Sequence, residues 1–246
     1  MEISAVAGPA QRTLIVIPAF NESGRVGRVV RDVRDVVPDA DVLVVDDGSR
    51  DGTAGEAISA GAFLMRLPVN MGYGAALQAG YKYAVRHGYD LVAQLDGDGQ
   101  HRASDLPRLI ARLDQPDADV AVGSRFLDRR GHYRPSTARK AGIALFARIA
   151  SAVMRQPVSD PTSGLQVMRI GVARFFCSEV YPMDYPDADI LILLHRSGFW
   201  VREVPVEMRP SQGQSMHSGH RSAYYVYKMC LSILVTLLRS RAAEVR

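Results

Sequence analysis

Apolar positions fall into short uninterrupted runs separated by longer stretches with helical spacing. Leu14 to Pro18, Val42 to Val45, Ala62 to Leu67, Leu91 to Leu95 and Val120 to Gly123 have the continuous apolar character of strands buried on both faces. Between them Val26, Val29, Val30, Val33 and Val37 mark one helical face, and further helices are predicted from about Ala75 to Arg86 and from about Asp105 to Leu113. Later, Ala138 to Met154 carries Ile143, Leu145, Phe146, Ile149, Ala150 and Val153 at helical spacing, and Ile190 to Arg196 reads as a short helix. This alternation predicts an α/β fold, a Rossmann-like, mostly parallel sheet with flanking helices. Ligands of such sheets gather at the carboxyl ends of the strands.

Those ends carry acid. The run Leu91 to Leu95 passes directly into Asp96-Gly97-Asp98-Gly99-Gln100, the first run ends in Pro18-Ala19-Phe20-Asn21-Glu22, and the second in Asp46-Asp47-Gly48-Ser49. Two carboxylates at i, i+2 offer hard oxygen ligands, which points to Mg²⁺ or Mn²⁺. Mg²⁺ keeps few protein ligands and completes its shell with water and phosphate, so a phosphorylated substrate is expected. Taken alone, the five residues are equally compatible with a polar turn, and a phosphatase with an aspartyl nucleophile stays open. An EF-hand does not: its sixth and twelfth positions, counted from Asp96, are His101 and Pro107. Gly72, Gly74 and Gly80 are not a dinucleotide fingerprint, because Leu77 stands where the third glycine belongs, and no P-loop is present. They read as turn or close-packing glycines.

The ordered set of motifs resembles the family 2 glycosyltransferases with the GT-A fold, in the branch of the dolichol- and polyprenyl-phosphate mannosyltransferases and their bacterial relatives. It comprises Pro18-Ala19-Phe20-Asn21-Glu22, Asp46-Asp47-Gly48-Ser49 with Asp51-Gly52-Thr53, Asn70-x-Gly72-x-Gly74, Asp96-x-Asp98-x-Gln100-His101, Gly123-Ser124-Arg125, Asp160-Pro161-Thr162-Ser163-Gly164 and Glu203-Val204-Pro205-Val206. The resemblance implies a nucleoside diphosphate sugar donor, a metal held by Asp96, Asp98 and Gln100, and a base and ribose pocket of Pro18, Phe20, Glu22 and Asp46 with Asp47 nearby. Asn70, Asp96 and Arg209 complete the donor set. Asp98, Arg125, Asp187 and Asp189 are the implied catalytic residues; the last two are equally ordinary helix-start residues. A sugar hydroxyl acceptor would need such a base, whereas an anionic lipid phosphate would not. The implied reaction transfers one sugar with inversion, preferably to polyprenyl phosphate, otherwise to a glycan or lipid-linked glycan hydroxyl. An inactive sugar-nucleotide-binding protein is the non-enzymatic alternative. The Gln-x-x-Arg-Trp signature of processive synthases is absent. The branch's Arg-x-x-Gly-x-Ser-Lys is incomplete here: Arg209, Gly213 and Ser215 are followed by Met216, and Arg209, His217 or Arg221 would supply the charge.

Charge divides the chain of 246 residues. Residues 1–128 hold 13 Lys or Arg against 18 Asp or Glu, and residues 129–246 hold 17 against 8. Between Asp128 and Asp160 lie seven basic residues, including Arg129, Arg130, Arg134, Arg139 and Lys140, and no acidic one. No nucleic-acid motif accompanies them, and a lipid phosphate at an anionic membrane surface fits better than nucleic acid. Residues 1–13 read as a short tail lacking a secretion signal, 14–220 as the catalytic domain, and 221–246 as an apolar helix flanked by basic residues. The run Tyr224 to Leu238, interrupted by Lys228, is shorter than the roughly 20 residues of a membrane span. It suits the membrane interface or packing on the domain or on another subunit, so a homo-oligomer is compatible. These features lead to the expectation of a cytoplasmic enzyme, peripheral at the cytoplasmic membrane face. Cys177 and Cys230, in apolar surroundings, read as buried reduced thiols.

Overall fold

The computed structural model describes residues 11–128, 137–182, 186–209 and 220–238. Seven strands are described: β1 (Thr13–Ala19), β2 (Asp41–Asp46), β3 (Phe63–Arg66), β4 (Leu91–Gln94), β5 (Val120–Ser124), β6 (Gln166–Arg169) and β7 (Val201–Pro205). They form one sheet in the order β3-β2-β1-β4-β6-β5-β7. β1 pairs in parallel with β2, Leu14 opposite Asp41 through Ala19 opposite Asp46, and with β4, Thr13 opposite Leu91 through Val16 opposite Gln94. Only β6 runs against its neighbours β4 and β5, and β7 is again parallel to β5. The expected mostly parallel sheet is present. Its reversed strand is too short to stand out in the apolar pattern.

The helices are α1 (Val26–Val36), α2 (Thr53–Ser59), α3 (Tyr73–Arg86), α4 (Leu106–Arg112), α5 (Thr137–Met154), α6 (Ile170–Phe176), α7 (Ala188–Arg196) and α8 (His220–Leu238). Alternate strand residues face opposite sides, and each side is covered. Leu14, Val16, Leu43 and Val45 pack with residues of α3 and α5 through α8, among them Tyr81, Phe146, Phe176 and Leu191. Ile15, Ile17, Val42 and Val44 pack with α1, α2 and α4. This double burial is why the strands read as unbroken apolar runs. Gly80 brings α3 close to β1, since a Cβ there would lie 2.4 Å from Val16 Cγ1.

Because β2 and β4 lie on opposite sides of β1, the chain reverses its winding between them. The carboxyl ends of β1 and β4 therefore flank a crevice of the kind that binds ligands in open sheets. α8 packs on the domain through Met229 and Ile233, while Tyr227, Leu231, Leu234 and Leu238 face outward. No helix of the described residues is long and apolar enough to cross a membrane. The reading of both cysteines as buried is corrected: they are free thiols, but Cys177 is half-buried and Cys230 exposed, because it falls on the outer side of α8.

Candidate active site

The ends of β1 and β2 are stitched together by polar side chains. Asn21, in the left-handed region with φ 55°, donates its N–H to Ser49 Oγ and accepts from Arg50 N at Oδ1; Glu22 N–H donates to Thr53 Oγ1. Asp46 is fully buried, accepting from Ser49 N at 2.8 Å, with Arg66 Nε 3.2 Å from its other oxygen. Asp47 accepts from the backbone N–H groups of Met71 and Gly72 at 2.7 and 2.9 Å. Its carboxylate thus anchors the loop that opens α3. Pro18 is buried, whereas Phe20 and Asn70 are exposed at the crevice rim.

Beyond β4, Asp96 accepts a 2.8 Å hydrogen bond from the Tyr73 hydroxyl, and His101 Nε2 lies 3.6 Å from its Oδ2. Gly164, in the turn before β6, backs the same carboxylate: a Cβ would fall 2.3 Å from Asp96 Oδ2. Asp98 accepts from the backbone N–H of Gln100 at 2.9 Å and from the Gln100 side-chain amide. Burial raises the pKa of both carboxyls; Asp96 adds to the rise at Asp98, while the Tyr73 hydrogen bond and Arg125 hold back the rise at Asp96. Glu22 is pushed up to about 7, first by burial and then by Asp98, Asp96 and Asp51, against the pull of Arg25. His101 is driven down to about 4 by burial and Arg125, so it is neutral at pH 7, and its Nδ1 is buried without a partner. Glu22, Asp96 and Asp98 therefore feel one another's charge, with Arg25 paired to Glu22 at 2.8 Å and Arg125 acting on Asp96.

That cluster fits a divalent cation. Asp96, Asp98 and the Gln100 amide oxygen supply hard donors, and burial of the carboxylates favours a compensating charge. Among the described residues no group of three or more His, Cys, Asp or Glu gathers around one point. Asp96, Asp98 and Gln100 are therefore candidate ligands that would need water or substrate oxygens to complete a shell.

The expected catalytic residues divide. Arg125 is buried against Asp160, with Nε and Nη2 each 2.6 Å from one of its oxygens, and Nη2 also reaches Thr162 Oγ1 at 2.9 Å. Glu203 holds this loop in turn by accepting from the N–H groups of Ser159 and Asp160. Arg125 therefore acts on the cluster through space. Asp189 is buried and accepts from Asp187 N, Ile190 N and the hydroxyl of Ser232 on α8, so its carboxylate joins α7 to α8. Asp187 stands one residue before α7; burial first, then Asp96 and least Asp187, hold the Tyr73 hydroxyl well above its usual range. Arg209 pairs with Asp32 at 3.2 Å while its N–H donates to the Gln100 carbonyl. Sequence reasoning gave no role to Tyr73, His101 or Gly164. Their contacts are tertiary, so only the neighbourhood of Tyr73 to Gly72 and of His101 to Asp98 marked the first two in the sequence. Gly213, Ser215, His217, Arg129, Arg130 and Arg134 lie outside the described residues, as do the side chains of Arg139 and Arg221.

The pattern of "Glycosyl transferase family 2" matches residues 14–175. The chain is 31% identical over 238 residues to the polyprenol monophosphomannose synthase of Mycolicibacterium smegmatis, covering 93% of this chain and 89% of that protein. It is also 31% identical over 220 residues to the undecaprenyl-phosphate mannosyltransferase of Micrococcus luteus, covering 85% and 88%. Among solved structures, glucosyl-3-phosphoglycerate synthase of Mycobacterium tuberculosis with phosphoglyceric acid superposes with a TM-score of 0.72 at 17% identity, over 92% of this chain and 80% of that one. A second structure of that enzyme, holding Mn²⁺, uridine diphosphate and glucosyl-3-phosphoglycerate, superposes with a TM-score of 0.68 at 19% identity, over 93% and 79%. At this identity the likeness concerns the fold, which is the GT-A fold expected from the motifs.

Proposed function

The chain belongs to glycosyl transferase family 2, and from that premise we propose that it moves one hexosyl unit from a nucleoside diphosphate sugar to polyprenyl phosphate at a membrane face, with inversion. One observation carries the choice of acceptor. Asp189, where a base for a sugar hydroxyl was expected, is buried and already accepts from Asp187 N, Ile190 N and the Ser232 hydroxyl. A lipid phosphate is already anionic near neutral pH and needs no such base. The two mannosyltransferase relatives, whose names specify polyprenol and undecaprenyl phosphate, support the same reading. Transfer to a glycan hydroxyl is the second reading, in which Asp187, just before α7, would serve as the base.

In the reaction an acceptor phosphate oxygen forms a bond to the anomeric carbon from the face opposite the diphosphate. The bond from that carbon to the diphosphate oxygen breaks, and its electron pair leaves with the nucleoside diphosphate. Asp96, Asp98 and Gln100 would hold Mg²⁺ or Mn²⁺, which supplies positive charge to neutralise the departing diphosphate. Glu22 and Asp46 accept donor hydroxyl or base N–H groups at the ends of β1 and β2. Tyr73 and Gly164 keep the Asp96 carboxylate in place. The outward apolar stripe of α8 rests on the membrane, keeping the catalytic domain at the surface where the lipid acceptor resides.

The test offers labelled nucleoside diphosphate sugars and a polyprenyl phosphate in detergent, with Mn²⁺ or with a chelator. A sugar-bearing product that partitions into organic solvent, lost on chelation, is expected. Turnover confined to water-soluble glycans would replace this acceptor, and undiminished transfer in chelator would remove the metal.

A further inference from the structure

Three successive carbonyls of the turn that brings Gly164 against Asp96 are held by buried side chains. Arg125 Nη2 donates to Thr162 O at 3.2 Å, Gln166 Nε2 to Ser163 O at 3.1 Å, and Gln94 Nε2 to Gly164 O at 3.3 Å. Gln94 closes β4 two residues before Asp96 and stands opposite Gln166 in the antiparallel pairing with β6. Its amide oxygen accepts from the hydroxyl of Tyr81. Tyr81 is fully buried on α3 against the rings of Phe176 and Tyr181, each centred 5.6 Å away. We propose that Tyr81 and Gln94 are positioning residues for the candidate metal site, acting on Asp96 through Gly164; the proposal rests on the reading of Asp96 as a metal ligand.

A buried carbonyl needs a donor whatever its surroundings do, and that alone accounts for Gln166. The geometry at Gly164 asks for more. A Cβ there would fall 2.3 Å from Asp96 Oδ2 and 2.8 Å from Cγ, so the turn backbone itself is the wall behind the carboxylate. Tyr73 bonds Oδ1, and the turn lies nearest Oδ2. The place of that wall depends on Gln94, and the facing of the Gln94 amide depends on Tyr81. A carbonyl only accepts, so the amide must turn Nε2 to Gly164 and Oε1 to Tyr81, whose hydroxyl then donates. The Tyr81 ring, packed among other aromatic rings, has little room to follow a displaced partner. Groups that orient a metal ligand from behind commonly change metal affinity about 10–100-fold when removed.

Mn²⁺ titration of the full chain by calorimetry compares Tyr81→Phe, Gln94→Met and Gln166→Met with the wild type, alongside thermal midpoints measured without metal. Met keeps the unbranched shape of glutamine and removes its donor. Gln94→Met and Gln166→Met each leave one buried carbonyl unpaired, so both should lower the midpoint. Only the first should loosen the wall: Gln94→Met is expected to weaken Mn²⁺ binding about tenfold and Tyr81→Phe severalfold, while Gln166→Met keeps the wild-type affinity. Equal losses of affinity in Gln94→Met and Gln166→Met, or wild-type affinity in Gln94→Met and Tyr81→Phe, overturn the proposal and leave these side chains to the support of the fold. Should Gln94→Met fail to fold, Tyr81→Phe decides alone, because it keeps the ring among its neighbours and removes one hydroxyl. A wild type that binds no Mn²⁺ refutes the metal reading, and the proposal falls with it; a wild type that binds Mn²⁺ with variants that match it refutes the proposal only.

Discussion

Tyr73 fixes Asp96 through a single hydrogen bond, and hydrogen bonds to charged groups contribute about 1.5–3 kcal/mol. Tyr73→Phe removes the donor while keeping the ring. It is expected to weaken Mn²⁺ binding about tenfold, with a nearly unchanged thermal midpoint; unaltered Mn²⁺ affinity by titration would detach Tyr73 from the metal site. The acidic cluster also sets a pH dependence. Glu22, raised from 4.5 to about 7, binds its proton more tightly in the folded protein. The stability this contributes is fully present below pH ~4.5 and is lost as pH rises through ~7. A cation reverses the balance by favouring the ionised forms of Glu22, Asp96 and Asp98, so binding expels protons. The rise in thermal midpoint produced by Mn²⁺ should therefore be larger at pH ~8 than at pH ~5. A shift independent of pH over that window would mean that these carboxyls are already ionised without metal.

α7 and α8 meet at Asp189, and this contact changes what its substitution should do. Read from the chain alone, Asp189→Asn is a test for a base. In the fold, Asp189→Ala leaves Asp187 N–H, Ile190 N–H and the Ser232 hydroxyl without their acceptor. The expected cost is about 1–3 kcal/mol, a fall of several degrees in thermal midpoint with donor affinity retained. Asn, which keeps one oxygen, should fall between Ala and the wild type. Unchanged stability with lost turnover on hydroxyl acceptors would return Asp189 to the role of base. The elements most legible in the sequence were those with long apolar periods or runs: β1, β2, β4, β5, α1, α3 and α5. α2 was missed because Thr53 to Ser59 is short and carries little apolar period. β6 was missed because its four residues earn their place by pairing with β4 and β5 rather than by composition. The acidic strand ends were legible for a related reason, since carboxylates directly after a buried strand break its pattern sharply. The burial of Arg125 was not, because its partner Asp160 lies on a distant loop and an arginine after a strand carries no mark of what it will meet.

At the scale of the molecule, α8 has two apolar sides. Met229 and Ile233 join the core, and Tyr227, Leu231, Leu234 and Leu238, spaced at helical intervals, remain outside. Replacing Leu231 and Leu234 with Glu should reduce sedimentation with anionic vesicles severalfold while leaving the thermal midpoint and nucleotide binding close to wild type. Unchanged sedimentation would take α8 off the membrane. The reversed strand β6 has a consequence of another kind, in the order of assembly. The strands β1 to β4 are contiguous in the chain and pair side by side, so they can associate soon after they leave the ribosome. β6 cannot join them until β5 and α5 have been synthesised, and Gly164, which backs Asp96, arrives with it. Closing that long loop is a slow step in chains with non-local pairing. The nucleotide crevice is thus outlined early in synthesis, while the carboxylate at its centre reaches its working position only when the second half of the chain has docked.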